Sequence, residues 1–303
     1  MNSFKNLLCY RFQADPDFSP EKLEDSLQAH PFIPCGRQEI QRSGWVSPCH
    51  FSDNLVFSSS GYHLISLLKE DRILPSSVIR DEVQLRVNKI EADEARKVYK
   101  KEKDQLKDEV IQELLPRAFS KRQSTRALII PNEGWIIIDA SSFNRAELLL
   151  NELREALGSL KVRPLNVNQA PASAMTTWLQ DEHQIPTGFE IGDECELRDT
   201  AAEGGVIRIK GQPLHSDEIV AHLETMQVTR LSVTWESQLA FLIHSDLSLH
   251  RIKLTSDYAD TLEQDRPEDE YADFDASVAR TGLEITRLLP ALTHCFGGEP
   301  VSE

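Results

Sequence analysis

Apolar and polar positions along the 303-residue chain change period several times, and each change predicts an element. Phe4 to Phe12 reads as a strand. Ser19 or Asp17 is placed to cap a helix that runs through Leu23 and Leu27 to about Ala29, where His30 and Pro31 stop it. After the turn-like Gly44-Trp45-Val46-Ser47-Pro48, the apolar run Tyr62 to Leu68 predicts another strand and completes a first α/β unit over 1–75. A second unit, 117–168, follows the same order: strand Thr125 to Ile130, turn Pro131-Asn132-Glu133-Gly134, strand Trp135 to Ile138. A helix from about Phe143 to Leu157 then ends at Gly158.

Between these units, in 76–116, Ile79, Val83, Val87, Ile90, Val98, Leu106, Val110 and Leu114 fall mostly at three- or four-residue spacings with charges between them, the period of a helix. One helix from Ser77 to Leu115 would reach ~58 Å at ~1.5 Å per residue, yet its middle, Tyr99 to Gln105, lacks a continuous apolar stripe. Two helices in a projecting hairpin are expected, with one straight helix as the alternative.

The remaining region, 169–303, opens with a short helix near Ala172 to Leu179. Gly204-Gly205 introduces a strand Val206 to Lys210, a turn follows at Gly211-Gln212-Pro213, and Ser216-Asp217-Glu218 reads as a helix start. Alternating apolar residues predict strands near Val228 to Trp235, Gln238 to His244 and Ser248 to Leu254, with a turn at Ser245-Asp246. The acidic stretch Asp257 to Asp275 is expected to be a surface loop before a last amphipathic helix near Phe274 to Leu292. The predicted class is α+β.

Composition bounds this picture without changing it. The chain is 40% hydrophobic and 27% charged, as in ordinary folded domains, and no apolar run approaches the ~20 residues of a spanning helix. The first ten residues lack a secretory pattern, so a cytoplasmic location without a membrane partner is expected. Cys9, Cys35, Cys49, Cys195 and Cys295, odd in number and widely spaced, fit reduced thiols. Cys35, Cys49 and His50 lack the fourth ligand and the spacing of a zinc site.

Charge does change the picture, through its distribution. The net charge of −16 argues against a nucleic-acid partner, because such affinity rests on cations that release counterions. From Arg96 to Arg126, however, ten Lys or Arg stand against five Asp or Glu, and Arg117 to Arg126 holds four cations and no acid. From Thr255 to Glu303, twelve acids face three arginines. Such polarity suits a protein that meets DNA with one surface and stays off it elsewhere; a solvated helix beside an acidic tail is the plainer reading.

No Walker A, G-x-G-x-x-G, H-E-x-x-H or G-x-S-x-G pattern occurs, and no cofactor is expected. The acids Asp257, Asp260, Glu263, Asp265, Glu268, Asp269, Glu270, Asp273 and Asp275 define the enzyme alternative, a Mg²⁺-dependent nuclease. An acidic protein that mimics DNA is the third reading.

The stretch Lys103-Asp104-Gln105-Leu106-Lys107-Asp108-Glu109-Val110, followed by Leu114-Leu115-Pro116-Arg117-Ala118-Phe119-Ser120-Lys121-Arg122, resembles the recombination-associated RdgC family. Further stretches agree in order and spacing: Phe4-Lys5-Asn6-Leu7, Gly44-Trp45-Val46-x-Pro48, Ile73-Leu74-Pro75-x-x-Val78-Ile79, Leu157-Gly158-Ser159-Leu160, Gly204-Gly205-Val206-Ile207-Arg208 and Phe274-Asp275-Ala276. The resemblance spans nearly the whole chain. It implies an extended, horseshoe-like subunit of several α/β subdomains with the helical hairpin projecting, paired with a second copy into a homodimeric ring around double-stranded DNA. It further implies a non-catalytic, nucleoid-associated protein that binds duplex with little sequence preference and restrains the RecA recombinase by competing for DNA.

Carried over by position, Phe119 matches an aromatic near the DNA hole, Arg96 a basic residue of the projecting helices, and Gln212 a polar residue at a hairpin tip. The residues themselves make Arg117, Lys121 and Arg122 phosphate contacts and leave Phe119 open between a core residue and a wedge. The candidate DNA-contact set is Arg96, Lys97, Lys100, Lys101, Arg117, Phe119, Lys121, Arg122, Arg208, Lys210 and Gln212. The family's common Lys-Lys-Gln reads Lys210-Gly211-Gln212 here, which removes one cation and weakens that tip.

Overall fold

The computed structural model describes residues 4–14, 18–201 and 204–300. In chain order the first half holds β1 (Leu8–Phe12), α1 (Pro20–Gln28), β2 (Gln41–Val46), β3 (Val56–Ser59), β4 (Tyr62–Ile73), α2 (Ser76–Glu94), α3 (Lys100–Leu114), β5 (Phe119–Ile130), β6 (Trp135–Ile138), α4 (Phe143–Leu157) and β7 (Val162–Pro164). The second half holds α5 (Pro171–Gln180), β8 (Phe189–Asp199), β9 (Val206–Lys210), α6 (Asp217–His222), β10 (Met226–Trp235), β11 (Leu239–His244), β12 (Leu249–Leu254), α7 (Ser256–Gln264) and α8 (Glu270–Cys295). The class is α+β.

Seven strands form one antiparallel sheet in the order β2-β4-β5-β6-β1-β7, with β3 also pairing β4. Both segments that the sequence reading set apart as α/β units, 1–75 and 117–168, therefore supply strands to the same sheet. Alternation decides which neighbour each face meets. Leu8, Tyr10, Ile65, Leu67, Ala127, Ile129 and Ile136 pack with Leu23 and Leu27 of α1 and Leu149 and Leu153 of α4. Cys9, Leu64, Leu128 and Ile137 turn the other way, into a core shared with Val278, Ile285, Leu288 and Leu292 of α8.

That second core also takes in the smaller antiparallel sheet, ordered β12-β11-β10-β8-β9, through Cys195, Leu197, Val228, Leu231, Val233 and Ile243, with Met175 and Trp178 of α5. The backbones of Leu7 and Leu249 exchange hydrogen bonds of 2.8 and 3.0 Å, joining the chain ahead of β1 to β12. α8 approaches β4 so closely at Gly282 that an added Cβ would meet the Tyr62 ring at 2.4 Å. A helical glycine costs about 1 kcal/mol relative to alanine, and here the close approach requires it.

The helical stretch 76–116 is two helices, not one. α2 ends at Ala95 in the left-handed region (φ 50°), α3 begins after Tyr99, and Arg86 reaches across to Glu113 at 2.6 Å. Val87, Val98 and Val110 are its buried positions, with Leu115 buried at its foot.

Several expectations need correction. Gly44-Trp45-Val46 is strand, not turn: Trp45 is buried, its N–H donates to the His30 carbonyl at 3.0 Å, and an added Cβ at Gly44 would lie 2.4 Å from the Phe32 backbone. The glycine admits a crossing chain instead of reversing its own. The acidic stretch after Thr255 is mostly helical: α7 spans Ser256–Gln264, and Asp269 caps α8 by accepting from the Ala272 N–H at 2.8 Å. Acids at a helix start are favoured by the exposed N–H groups there. β8 was not anticipated because Glu194, Glu196 and Arg198 occupy one of its faces. Ser19 caps α1 as expected; Asp17 lies outside the described residues. Among the described residues no helix is long and apolar enough to cross a membrane.

Candidate nucleic-acid interface

The helical hairpin joins the large sheet through its longest ribbon, in which β4 and β5 pair from His63 opposite Ile129 to Ile73 opposite Phe119. At the hairpin end the strands outrun the apolar core and pair polar and charged positions instead: Glu70 with Arg122, Asp71 with Lys121, Arg72 with Ser120. Glu70 is the anchor. Its side chain is 4% exposed, and the 54% exposed Arg122 stands 3.7 Å from it. Hydrogen bonds from the Ser120 side chain and the Cys35 N–H outweigh the effect of burial and, with the Arg122 and Arg72 charges, hold the Glu70 carboxyl below its usual range. The carboxylate therefore stays ionised under Arg122, whose guanidinium also lies 5.4 Å from the Phe32 ring centroid. Arg72 stiffens this end by donating to the carbonyls of Ala118 and Cys35, both at 3.2 Å.

Phe119 is 84% exposed, and its cross-strand neighbour Ile73 is also exposed. Of the two readings left open for Phe119, the structure excludes the core residue. Asp71, opposite Lys121, is held by Lys69 at 2.6 Å, so Lys121 is exposed and makes no ion pair among the described residues. Arg117 is exposed beside Glu113, whose pKa it helps to lower.

The hairpin tip is a separate group. Arg96 is committed within the chain: Nε donates to Glu94 at 2.6 Å, and both terminal nitrogens donate to Glu102 at 2.7 Å. Lys97, Lys100 and Lys101 are exposed without an ion pair among the described residues. The 15 residues of α3 put roughly 22 Å between this tip and the ribbon. A third group lies at the edge of the small sheet, where Arg208 is 2.8 Å from Glu196 and Lys210 is 3.3 Å from Glu194. Gln212 is exposed just past Gly211, whose φ of 66° makes the turn.

Sequence reasoning thus found the exposed cations and missed the carboxylates beneath them. The signal for Glu70 was present in Lys69-Glu70-Asp71-Arg72, which continues the β4 alternation past Leu68 with charge in place of apolar residues. The acids of the nuclease alternative are arranged differently. Glu268, Glu270 and Asp273 line a cleft of about 670 Å³ together with His50, Arg266 and Arg280. Within it His50 is 3.1 Å from Glu270, and Arg266 is 3.0 Å from Asp273. Among the described residues no three or more His, Cys, Asp or Glu side chains gather to hold a metal ion.

These features define an α+β protein of two antiparallel sheets and a helical hairpin, with exposed arginines standing on buried carboxylates. The family model described as "Putative exonuclease, RdgC" matches residues 3–299, and the chain belongs to the RdgC family. It is 44% identical over 303 residues to the recombination-associated protein RdgC of Pseudomonas entomophila, with 99% of each chain covered. The proteins of that name from Pseudomonas syringae pv. tomato and Pseudomonas aeruginosa are 45% and 44% identical, again over 99% of each chain. These names support a role in recombination.

Proposed function

We propose that this chain is a non-catalytic, cytoplasmic and nucleoid-associated protein that binds double-stranded DNA without sequence preference. In this reading two horseshoe-shaped copies close into a ring around the duplex and restrain RecA by occupying its DNA. One observation carries the proposal: at the ribbon end Arg122 stands exposed 3.7 Å from buried Glu70, beside exposed Phe119 and beside Lys121, which makes no ion pair among the described residues. Guanidinium forks suit phosphate oxygens. None of the candidate residues forms a recognition helix or zinc finger, so base edges go unread.

The test is duplex binding at several salt concentrations. Each phosphate contact adds about 0.9 to the slope of log affinity against log salt, so replacing Lys121 and Arg122 by Ala should flatten it by about 1.8 for every sequence. An unchanged slope refutes the placement of the DNA path. The ring requires a mass in solution of twice the 34.4 kDa chain. The family description's exonuclease is the competing reading, and Mg²⁺-dependent shortening of a linear duplex from its ends would favour it.

A further inference from the structure

The face of the small sheet turned away from the core carries a second set of exposed cations on carboxylates, wider than the three edge residues already considered. Along β8 and β9 the side chains alternate: Cys195, Leu197, Ile207 and Ile209 point into the core, so Glu194, Glu196, Arg208 and Lys210 share the outer face. Glu196 is 5% exposed and takes a cation from each side, Arg208 of β9 at 2.8 Å and Arg230 of β10 at 3.2 Å. Glu194 likewise takes Lys210 of β9 at 3.3 Å and Arg251 of β12 at 2.8 Å, although two strands separate β12 from β8 in the sheet. The side chains of these four cations are 42 to 66% exposed.

We propose that this outer face binds the sugar–phosphate backbone of duplex DNA, Arg208 with Arg230 forming one phosphate seat and Lys210 with Arg251 the next. The inference rests on the DNA reading above and extends it to Arg230 and Arg251. Charge complementarity names the occupant: four cations stand over two carboxylates, and exposed Arg198 continues the row on β8, in a chain whose net charge is −16. Each guanidinium has five N–H donors, and the carboxylates engage only part of each fork, leaving donors directed at solvent. Residues two apart on a strand advance ~6.8 Å, the axial distance covered by about two phosphates of one duplex strand at ~3.4 Å each. Both carboxylates are held ionised. Burial pushes Glu196 up, but the Arg208 hydrogen bond and the Arg230 charge bring it below its usual range. The Arg251 hydrogen bond is the largest influence lowering Glu194.

Two variants with opposite expected signs test this. Arg230→Ala with Arg251→Ala should weaken duplex binding and flatten the salt slope by about 1.8. Glu194→Gln, which frees two cations without removing either, should tighten binding several-fold. A purely structural ion-pair network predicts lower stability for both variants and no change in affinity. If wild type fails to bind duplex, the underlying DNA reading falls and this inference with it. If wild type binds and depends on Lys121 and Arg122 while Glu194→Gln leaves affinity unchanged, this inference alone is overturned. Glu194→Gln decides even where the double variant fails to fold.

Discussion

Replacing Phe119 by Ala separates a side chain displayed for a partner from one that supports the fold. A buried phenylalanine loses ~3 to 5 kcal/mol on truncation to alanine. Phe119 is 84% exposed at the first position of β5, so the variant gives up little beyond its cross-strand contact with Ile73. Such a pair is worth ~0.2 to 1 kcal/mol. In a chain of this length, 1 kcal/mol moves Tm by roughly 2 to 4 °C at most, so the melting temperature should stay within about 4 °C of wild type. Trp45→Ala, at a position 1% exposed between β4 and the His30–Phe32 crossing, is the internal control and should lose several times as much. Thermal unfolding followed by circular dichroism, run beside a duplex titration, reads both quantities. On the proposed function, DNA affinity falls while Tm holds. A drop in Tm close to that of Trp45→Ala would refute the exposure argument, and unchanged affinity would remove Phe119 from the interface.

Gly282→Ala should lower the urea midpoint, because the new methyl meets the Tyr62 ring at 2.4 Å and overpacking of this kind costs ~1 to 3 kcal/mol, more than the helix propensity that alanine adds. A raised midpoint would show that α8 does not rest on Tyr62. Acid stability gives another check: burial, then the neighbouring His250 and Arg230 charges, lowers the His244 pKa to about 4 against the opposing pull of Asp246 and Glu196. With the folded-state value depressed, the contribution of neutral His244 is present above the ordinary histidine value of ~6.5 and is lost as pH falls through about 4. His244→Gln should therefore flatten the stability profile between those limits in stepped-pH urea titrations, and a profile parallel to wild type would disprove the assignment.

Elements with a single dominant period were legible from the sequence. α4 ends at Gly158 as its pattern requires, and β10, β11 and β12 appear where apolar alternation places them. What escaped were strands whose outer face is charged. β8 drew no strand assignment because Glu194 and Glu196 interrupt any apolar pattern, and their partners Arg230 and Arg251 lie 34 and 57 positions away from Glu196 and Glu194 in sequence. β4 seemed to stop at Leu68 for the same reason. Pairing across strands is a tertiary fact, and a linear reading sees unpaired charge where the sheet makes an ion pair. Glycine misled in the opposite sense at Gly44, where tight contact with a crossing backbone has the same sequence signature as a turn.

The pairing of exposed arginines with buried carboxylates bears on how an acidic chain can face DNA. Glu70 and Glu196 count fully in the net charge, yet each lies beneath an arginine and from beyond the ~8 Å Debye length presents little net field. A phosphate that docks there meets the guanidinium first. Arg208, hydrogen-bonded to Glu196 at 2.8 Å, belongs to the kind of side chain that loses about 0.5 to 1.5 kcal/mol of rotamer freedom on binding, and part of that ordering is done when the protein folds. Among the described residues Lys97, Lys100 and Lys101 at the hairpin tip have no such anchor. On the DNA reading the two kinds of cation divide the work. The tip lysines attract phosphate at long range without fixing its position, and the arginines on β5 and β9 define where the backbone rests.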